Sequence, residues 1–244
     1  HGKYQYWAGN GDLTEEGNYV NNKRHGNWIS YSQGEKSKEQ EFVDGKTEGR
    51  FVTYYQGRRR NSGYYQNNQK TGEWLEYYYQ ADDPTYGFIP EGTIRYKTQW
   101  QDNKQHGKAE FYTAKNILYK VENWDKGVKS GYYQEFYVSN GEPKLAGNMQ
   151  KGQWFGLWQA WYEDGTLAQA VHYDASRKHG VAQEYYDNGQ LKSEIEYEYD
   201  KPHGRYQLFH LNGRPQQKES YVQGLKEGKA EYFHPNGKPL QQGD

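Results

Sequence analysis

A glycine recurs every 23 to 25 residues along nearly the whole chain, and this period constrains the fold more than any other feature. The anchors Gly2, Gly26, Gly49, Gly72, Gly107, Gly131, Gly156, Gly180, Gly204 and Gly228 are separated by 24, 23, 23, 35, 24, 25, 24, 24 and 24 residues. A second glycine stands 15 residues before the following anchor: Gly11, Gly34, Gly57, Gly92, Gly141, Gly165, Gly189 and Gly213, with Asn116 taking its place once. Four residues before each anchor lies a third mark, drawn from Gly45, Gly127, Gly152, Gly224, Asn22, Asn68, Asn103, Ser176 and Asp200. These residue types tolerate positive φ or bond their side chains to nearby backbone, as short turns require. Each unit therefore reads as two arms and two turns, a hairpin joined tightly to the next hairpin. A period of this size is the signature of a stacked repeat, in which each unit contacts only its neighbours and no central core is needed.

The arms read as strands. Five residues after the anchor the position is aromatic in all ten units: Trp7, Tyr31, Tyr54, Tyr77, Tyr112, Phe136, Trp161, Tyr185, Phe209 and Phe233. Two after the anchor it is aromatic in seven and alanine in three (Ala109, Ala182, Ala230). Seven before the anchor lie Tyr19, Phe42, Tyr65, Trp100, Trp124, Tyr173, Tyr197 and Tyr221, with Met149 once. Aromatic runs bounded by Gly and Asn are a strand-and-hairpin pattern. Offsets of two and five have opposite parity. Either a bulge realigns them, or both faces of the sheet carry rings.

The arms are poor in aliphatic residues, and mean hydropathy is −1.36. Such values ordinarily go with disorder. Here the 27 tyrosines and 8 tryptophans supply the burial instead, at roughly 150–250 Å² per packed ring. A net charge of −1 argues against a nucleic-acid partner, whose phosphates demand clustered Lys and Arg. The dense basic run Arg58-Arg59-Arg60 reads as a solvated hairpin tip. No apolar stretch reaches the ~18–20 residues of a membrane span. Cysteine is absent, which excludes disulfides and thiolate metal sites and leans toward a periplasmic or exported setting, with the cytoplasm as the alternative. His1 already belongs to the repeat, so upstream sequence is expected.

The unit G-x-[WY]-x-x-[WY]-Y-x-x-G-x-L, followed by an aromatic and N-x-K-x-H-G, resembles the MORN-repeat variant. Its clearest copies are the stretch opening at Gly180 (GVAQEYYDNGQL) and residues 21–28 (NNKRHGNW). Among bacterial proteins the pattern is similar to the YwqK-type family, commonly described as antitoxins. The resemblance implies an all-β fold: tandem antiparallel β-hairpin repeats forming one elongated, twisted single-layer sheet. It covers residues 1–244 apart from an insertion near 81–90, and exposed end strands suggest end-to-end self-association.

Candidate chemistry is sparse. His1, His25, His106, His179 and His203 precede anchor glycines, but equivalent positions in adjacent units would lie ~10 Å apart, too far to share one metal ion. The internal recurrence of His-Gly also explains His1 without a copper site. Glu15–Glu16 and Asp82–Asp83 are conceivable acid–base pairs, yet no nucleophile elbow, phosphate loop or zinc-protease motif accompanies them. The chain is expected to be non-catalytic, with no cofactor and no metal.

Two features suit binding. One is a row of polar aromatics six after the anchor: Tyr55, Tyr78, Tyr137, Tyr162 and Tyr186, continued by His210 and His234. The other is the insertion in the fourth unit, where Gly72 and Gly92 lie 20 residues apart rather than 8 to 10. It mixes acidic, aromatic and aliphatic side chains in Asp82, Asp83, Tyr86, Phe88 and Ile89, and loops on rigid scaffolds commonly carry specific contacts. The expected function is a protein-binding scaffold of antitoxin or immunity type whose partner is a toxin or effector. The rival is a cell-wall or carbohydrate-binding module, since aromatic repeats also stack on sugars.

Overall fold

The computed structural model describes residues 1–240. The last residues of the expected array, 241–244, lie outside them. Among the described residues all regular structure is β and no helix occurs, so none is long and apolar enough to cross a membrane.

The strands group into two compact units, His1–Val128 and a second beginning at Lys129. Within the first, Gly2–Trp7, Leu13–Val20, Lys23–Ser32, Glu35–Val43, Lys46–Tyr55, Arg58–Gln66, Gln69–Tyr77, Ile94–Gln101, Lys104–Tyr112 and Leu118–Asp125 pair antiparallel, each with the next in sequence. The second unit repeats this from Gly131–Phe136 to Pro215–Val222. There the last hairpin shrinks to the two-residue strands Leu225–Lys226 and Glu231–Tyr232. Each unit is thus an open sheet of successive hairpins.

The turns follow from residue type. At the tight connections both central residues have positive φ, as at Asn21-Asn22 (49° and 61°) and Asp44-Gly45 (49° and 81°). This is the hairpin turn whose twist matches its strands. The same positions tie one repeat to the next. The Gly45 N–H donates to the Arg24 carbonyl at 2.9 Å, and Asn68 N–H to Thr47 at 3.0 Å. Where the residue is Asn or Asp its side chain adds a bond, Asn68 Oδ1 accepting from Thr47 N–H at 2.7 Å and Asp200 Oδ1 from Lys178 N–H at 2.8 Å.

The anchor glycine marks a bulge. Between the pairs Glu16↔Ile29 and Asn18↔His25, three residues of one arm face the single residue Gly17 of the other. The left-handed φ of Gly26, 73°, suits the extra residues. The slack accommodates a ring. Trp28, 2% exposed, lies on Gly17 so closely that a Cβ there would sit 2.3 Å from its indole. Trp74 on Gly63 and Trp158 on Gly147 repeat the arrangement at 2.2 and 2.3 Å. Each indole N–H then donates to the carbonyl of the residue after that glycine: Asn18 at 3.1 Å, Tyr64 at 3.2 Å and Asn148 at 3.1 Å. Where the ring is replaced by alanine, the opposite position carries volume instead, and Thr98↔Ala109 and Val171↔Ala182 pair directly.

Both faces carry rings, which resolves the parity question. Rings two after the anchor touch those seven before it, as in Tyr19–Trp28 (5.1 Å between centroids) and Tyr65–Trp74 (5.3 Å). Rings five after the anchor bond instead to polar groups of the opposite face: Tyr112 donates to Glu110 at 3.1 Å, Tyr185 to Gln183 at 2.9 Å and Tyr31 to Glu16 at 2.7 Å. A bulge does fall beside this position, between Ser30 and Tyr31 for example, but its extra residue lies on the partner strand.

Candidate functional site

The insertion in the fourth repeat is a built element. Asp82–Asp83 pairs antiparallel with Gly87–Phe88 to form a miniature hairpin. Its turn is set by Asp83, whose Oδ1 accepts from the backbone N–H groups of Thr85 (2.8 Å) and Tyr86 (3.1 Å). At the root, Ile89 N–H donates to the Ala81 carbonyl at 2.7 Å, and the Ile89 side chain is 1% exposed.

The arginine run grips this root, so its reading as a solvated hairpin tip is corrected. Arg58 donates to the Ile89 carbonyl at 2.6 Å. Arg59 lies 5.1 Å from the centre of the Tyr77 ring and 3.6 Å from the Glu91 carboxylate, while Arg60 lies 5.3 Å from the Tyr79 ring. The periodic pattern placed these side chains at a turn. It carried no information that the insertion folds back onto them. A charge-assisted bond of this kind is worth about 1.5–3 kcal/mol when its partner is otherwise left unpaired. Arg58→Ala is therefore expected to speed hydrogen exchange at the Ile89 amide by about ten- to a hundred-fold, and unchanged protection would show that the root is held without it.

Above the root the hairpin is open to solvent. Phe88 is 72% exposed, the most exposed aromatic ring among the described residues, and Asp82 is exposed beside it. Tyr86 is partly covered, with Lys115 5.9 Å from its ring centre. The expected site residues thus divide. Asp82 and Phe88 face solvent, Asp83 shapes the turn, and Ile89 is spent inside.

The aromatic row six after the anchor is a staple between repeats. The Tyr78 hydroxyl donates to the Tyr112 carbonyl at 3.0 Å, Tyr137 to Trp161 at 2.8 Å, Tyr162 to Tyr185 at 2.8 Å and Tyr186 to Phe209 at 2.8 Å. His210 continues it on Phe233 at 2.9 Å. Each acceptor lies five after the next anchor, a relation visible only once the repeats are stacked. Tyr55 and Tyr78 share the insertion's unit, whereas Tyr137, Tyr162 and Tyr186 belong to the other. Tyr55 is exposed and meets the Tyr79 ring at 5.3 Å. Burial pushes the Tyr78 hydroxyl above the ordinary phenol range, with Tyr119 adding to the shift.

The remaining candidates scatter. Glu15 bonds Arg24 at 2.9 Å while Glu16 takes Tyr31 and Gln5, so these neighbouring carboxylates serve separate partners. The anchor histidines meet different groups: His106 faces Asp125 at 3.4 Å, and His179 stacks on Tyr199 at 4.5 Å. Among the described residues no three His, Asp or Glu side chains are grouped to hold a metal ion.

Comparison with known proteins agrees with this repeat geometry. The family described as MORN repeat variant matches residues 1–21, 156–175, 178–199, 202–223 and 226–244. The intervening repeats, which hold the insertion, keep the same anchors with positive φ although the family pattern does not extend over them. No curated protein matches the chain. Solved structures that align with it include crystal structures described as TcdB2-TccC3-Cdc42, TcdB2-TccC3-TEV and TcdB2-TccC3 without its hypervariable C-terminal region. These three are 12% identical and cover 96%, 96% and 98% of this chain, which spans only 14%, 14% and 17% of theirs. Their TM-scores of 0.21, 0.22 and 0.21 are too low to support an argument about fold or function.

Proposed function

We propose that the chain is a non-catalytic protein-binding scaffold that docks its partner through the insertion hairpin. The observation that carries this reading is the contrast between neighbouring residues: Ile89 is buried and bonded through both its N–H and its carbonyl, while Phe88 beside it is left 72% exposed. A ring held out of the surface on a preorganised support loses little conformational freedom on binding, and aromatic side chains of this kind anchor interfaces. Asp82 beside it favours a partner whose apolar socket is rimmed by basic groups.

The specific form proposed is an antitoxin or immunity protein, in which the docked hairpin neutralises a toxin or effector. That form rests on the resemblance to YwqK-type proteins, while the five matched repeats support the repeat scaffold beneath it. It requires one tight, stoichiometric protein partner.

Affinity capture from the native source tests this, with the wild type run beside Phe88→Ser and a deletion of residues 82–90. The wild type is expected to retain a single protein at one-to-one stoichiometry. Phe88→Ser should weaken it by at least about 2 kcal/mol, the scale of an aromatic hot spot. Equal retention by all three chains would place the interface elsewhere, and retention of no protein would end the reading.

A further inference from the structure

Beside the insertion, and apart from the exposed Phe88, lies a shallow hollow of about 350 Å³ lined by Tyr77, Tyr78, Tyr79, Gln80, Asp83, Arg95 and Tyr119. That volume falls at the small end of ligand pockets, roughly 300–1,000 Å³. Its chemistry is mixed in a particular way. Asp83 uses one oxygen to fix its turn, and its other oxygen has no bond among the described residues. Arg95 spends one guanidinium nitrogen on Glu76 at 2.9 Å and keeps its other donors. A carboxylate and a guanidinium therefore line one small basin together with an amide and four phenol rings.

This set discriminates between ligand classes. A cation suited to the rings and Asp83 would be opposed by Arg95, and an anion suited to Arg95 would be opposed by Asp83. An apolar ligand would strand both charges. A neutral polyhydroxylated ring meets every group. Its hydroxyls donate to Asp83 and accept from Arg95, Gln80 serves either role, and its C–H faces lie on phenol rings. The backbone supports such a use, because Arg95 and Tyr119 are the extra residues of equivalent bulges in successive repeats, a device that re-aims side chains. We propose that this hollow is a binding site for a neutral saccharide, one or two sugar rings in size. The site is distinct from protein docking through Phe88, which does not line it.

The test is a titration of the full chain followed by amide chemical shifts. Maltose, cellobiose and N,N′-diacetylchitobiose serve as neutral probes, with choline chloride and inorganic phosphate as charged ones. At least one disaccharide is expected to shift amides of residues 77–83, 95 and 119. Asp83→Asn, which keeps the oxygen that accepts in the turn, and Tyr119→Ala should each weaken that response by about ten-fold or more. Three results would overturn the proposal: no response to any of the disaccharides, a response at these amides to choline or phosphate instead, or undiminished disaccharide binding in both variants. The spectra themselves report whether each variant is folded, and loss of saccharide binding leaves capture through Phe88 untouched.

Discussion

Replacing Trp74 with alanine is expected to destabilise the unit His1–Val128 by about 3–5 kcal/mol, the scale for removing a buried indole. The side chain is 6% exposed, lies on Gly63 and donates to the Tyr64 carbonyl. Its loss removes packing and a bond together. The reciprocal change is the sharper one. Gly63→Val alone should also destabilise, because its Cβ would sit 2.2 Å from the indole, and overpacking commonly costs about 1–3 kcal/mol. Combined with Trp74→Ala, however, the same valine should restore about 1–2 kcal/mol, because the pair then reproduces Val171 opposite Ala182. Thermal and urea unfolding of the four chains measure this coupling. Additive losses in the double variant would show that the two positions do not share one volume.

The second large effect is acid sensitivity in the last repeats. Glu219 occupies the slot that Gly17, Gly63 and Gly147 fill elsewhere, nine residues before an anchor, and is 4% exposed. Burial alone would raise its pKa. Bonds from Lys226 (2.5 Å), Tyr221 (2.6 Å) and Tyr232 (3.0 Å) outweigh burial and hold it at about 2, against an ordinary 4.5. A depressed folded-state pKa means stability that is present above pH 4.5 and lost as pH falls toward 2. The shift corresponds to a loss of up to about 3 kcal/mol across that window. Glu219→Gln should be less stable at pH 6 and should lack this part of the acid slope. Parallel acid slopes in the two chains would assign the sensitivity to other carboxylates.

These two predictions rest on a feature that was hidden in the sequence, whereas the turns were legible. Gly, Asn and Asp at fixed spacing state their backbone requirement directly, and Asn21-Asn22 and Asp44-Gly45 adopt it. The Trp–Gly coupling joins positions eleven residues apart across a bulge. The opposing slot holds Gly17, Gln40, Gly63, Thr98, Glu122, Gly147, Val171, Ile195 and Glu219 in turn, so no single column stands out. What the list follows is its two extremes: the slot is glycine wherever an indole lies across from it, and holds Thr98, Val171 or Glu219 where an alanine does. The polar aromatic row was visible, but its bonds to carbonyls in the next repeat were not. The insertion was conspicuous by its length. What the sequence could not convey was that Ile89 turns inward, that Arg58 grips its carbonyl, and that Phe88 is left outside as a result.

The claim that Phe88 is the docking element is tested most directly by placing a photocrosslinking amino acid at Phe88 and, in a second chain, at Leu211, an apolar side chain that is also exposed. Irradiation in an extract of the native source is expected to join the position-88 chain to one protein, with no such adduct from position 211. No adduct from position 88, or the same set of adducts from both positions, would contradict it.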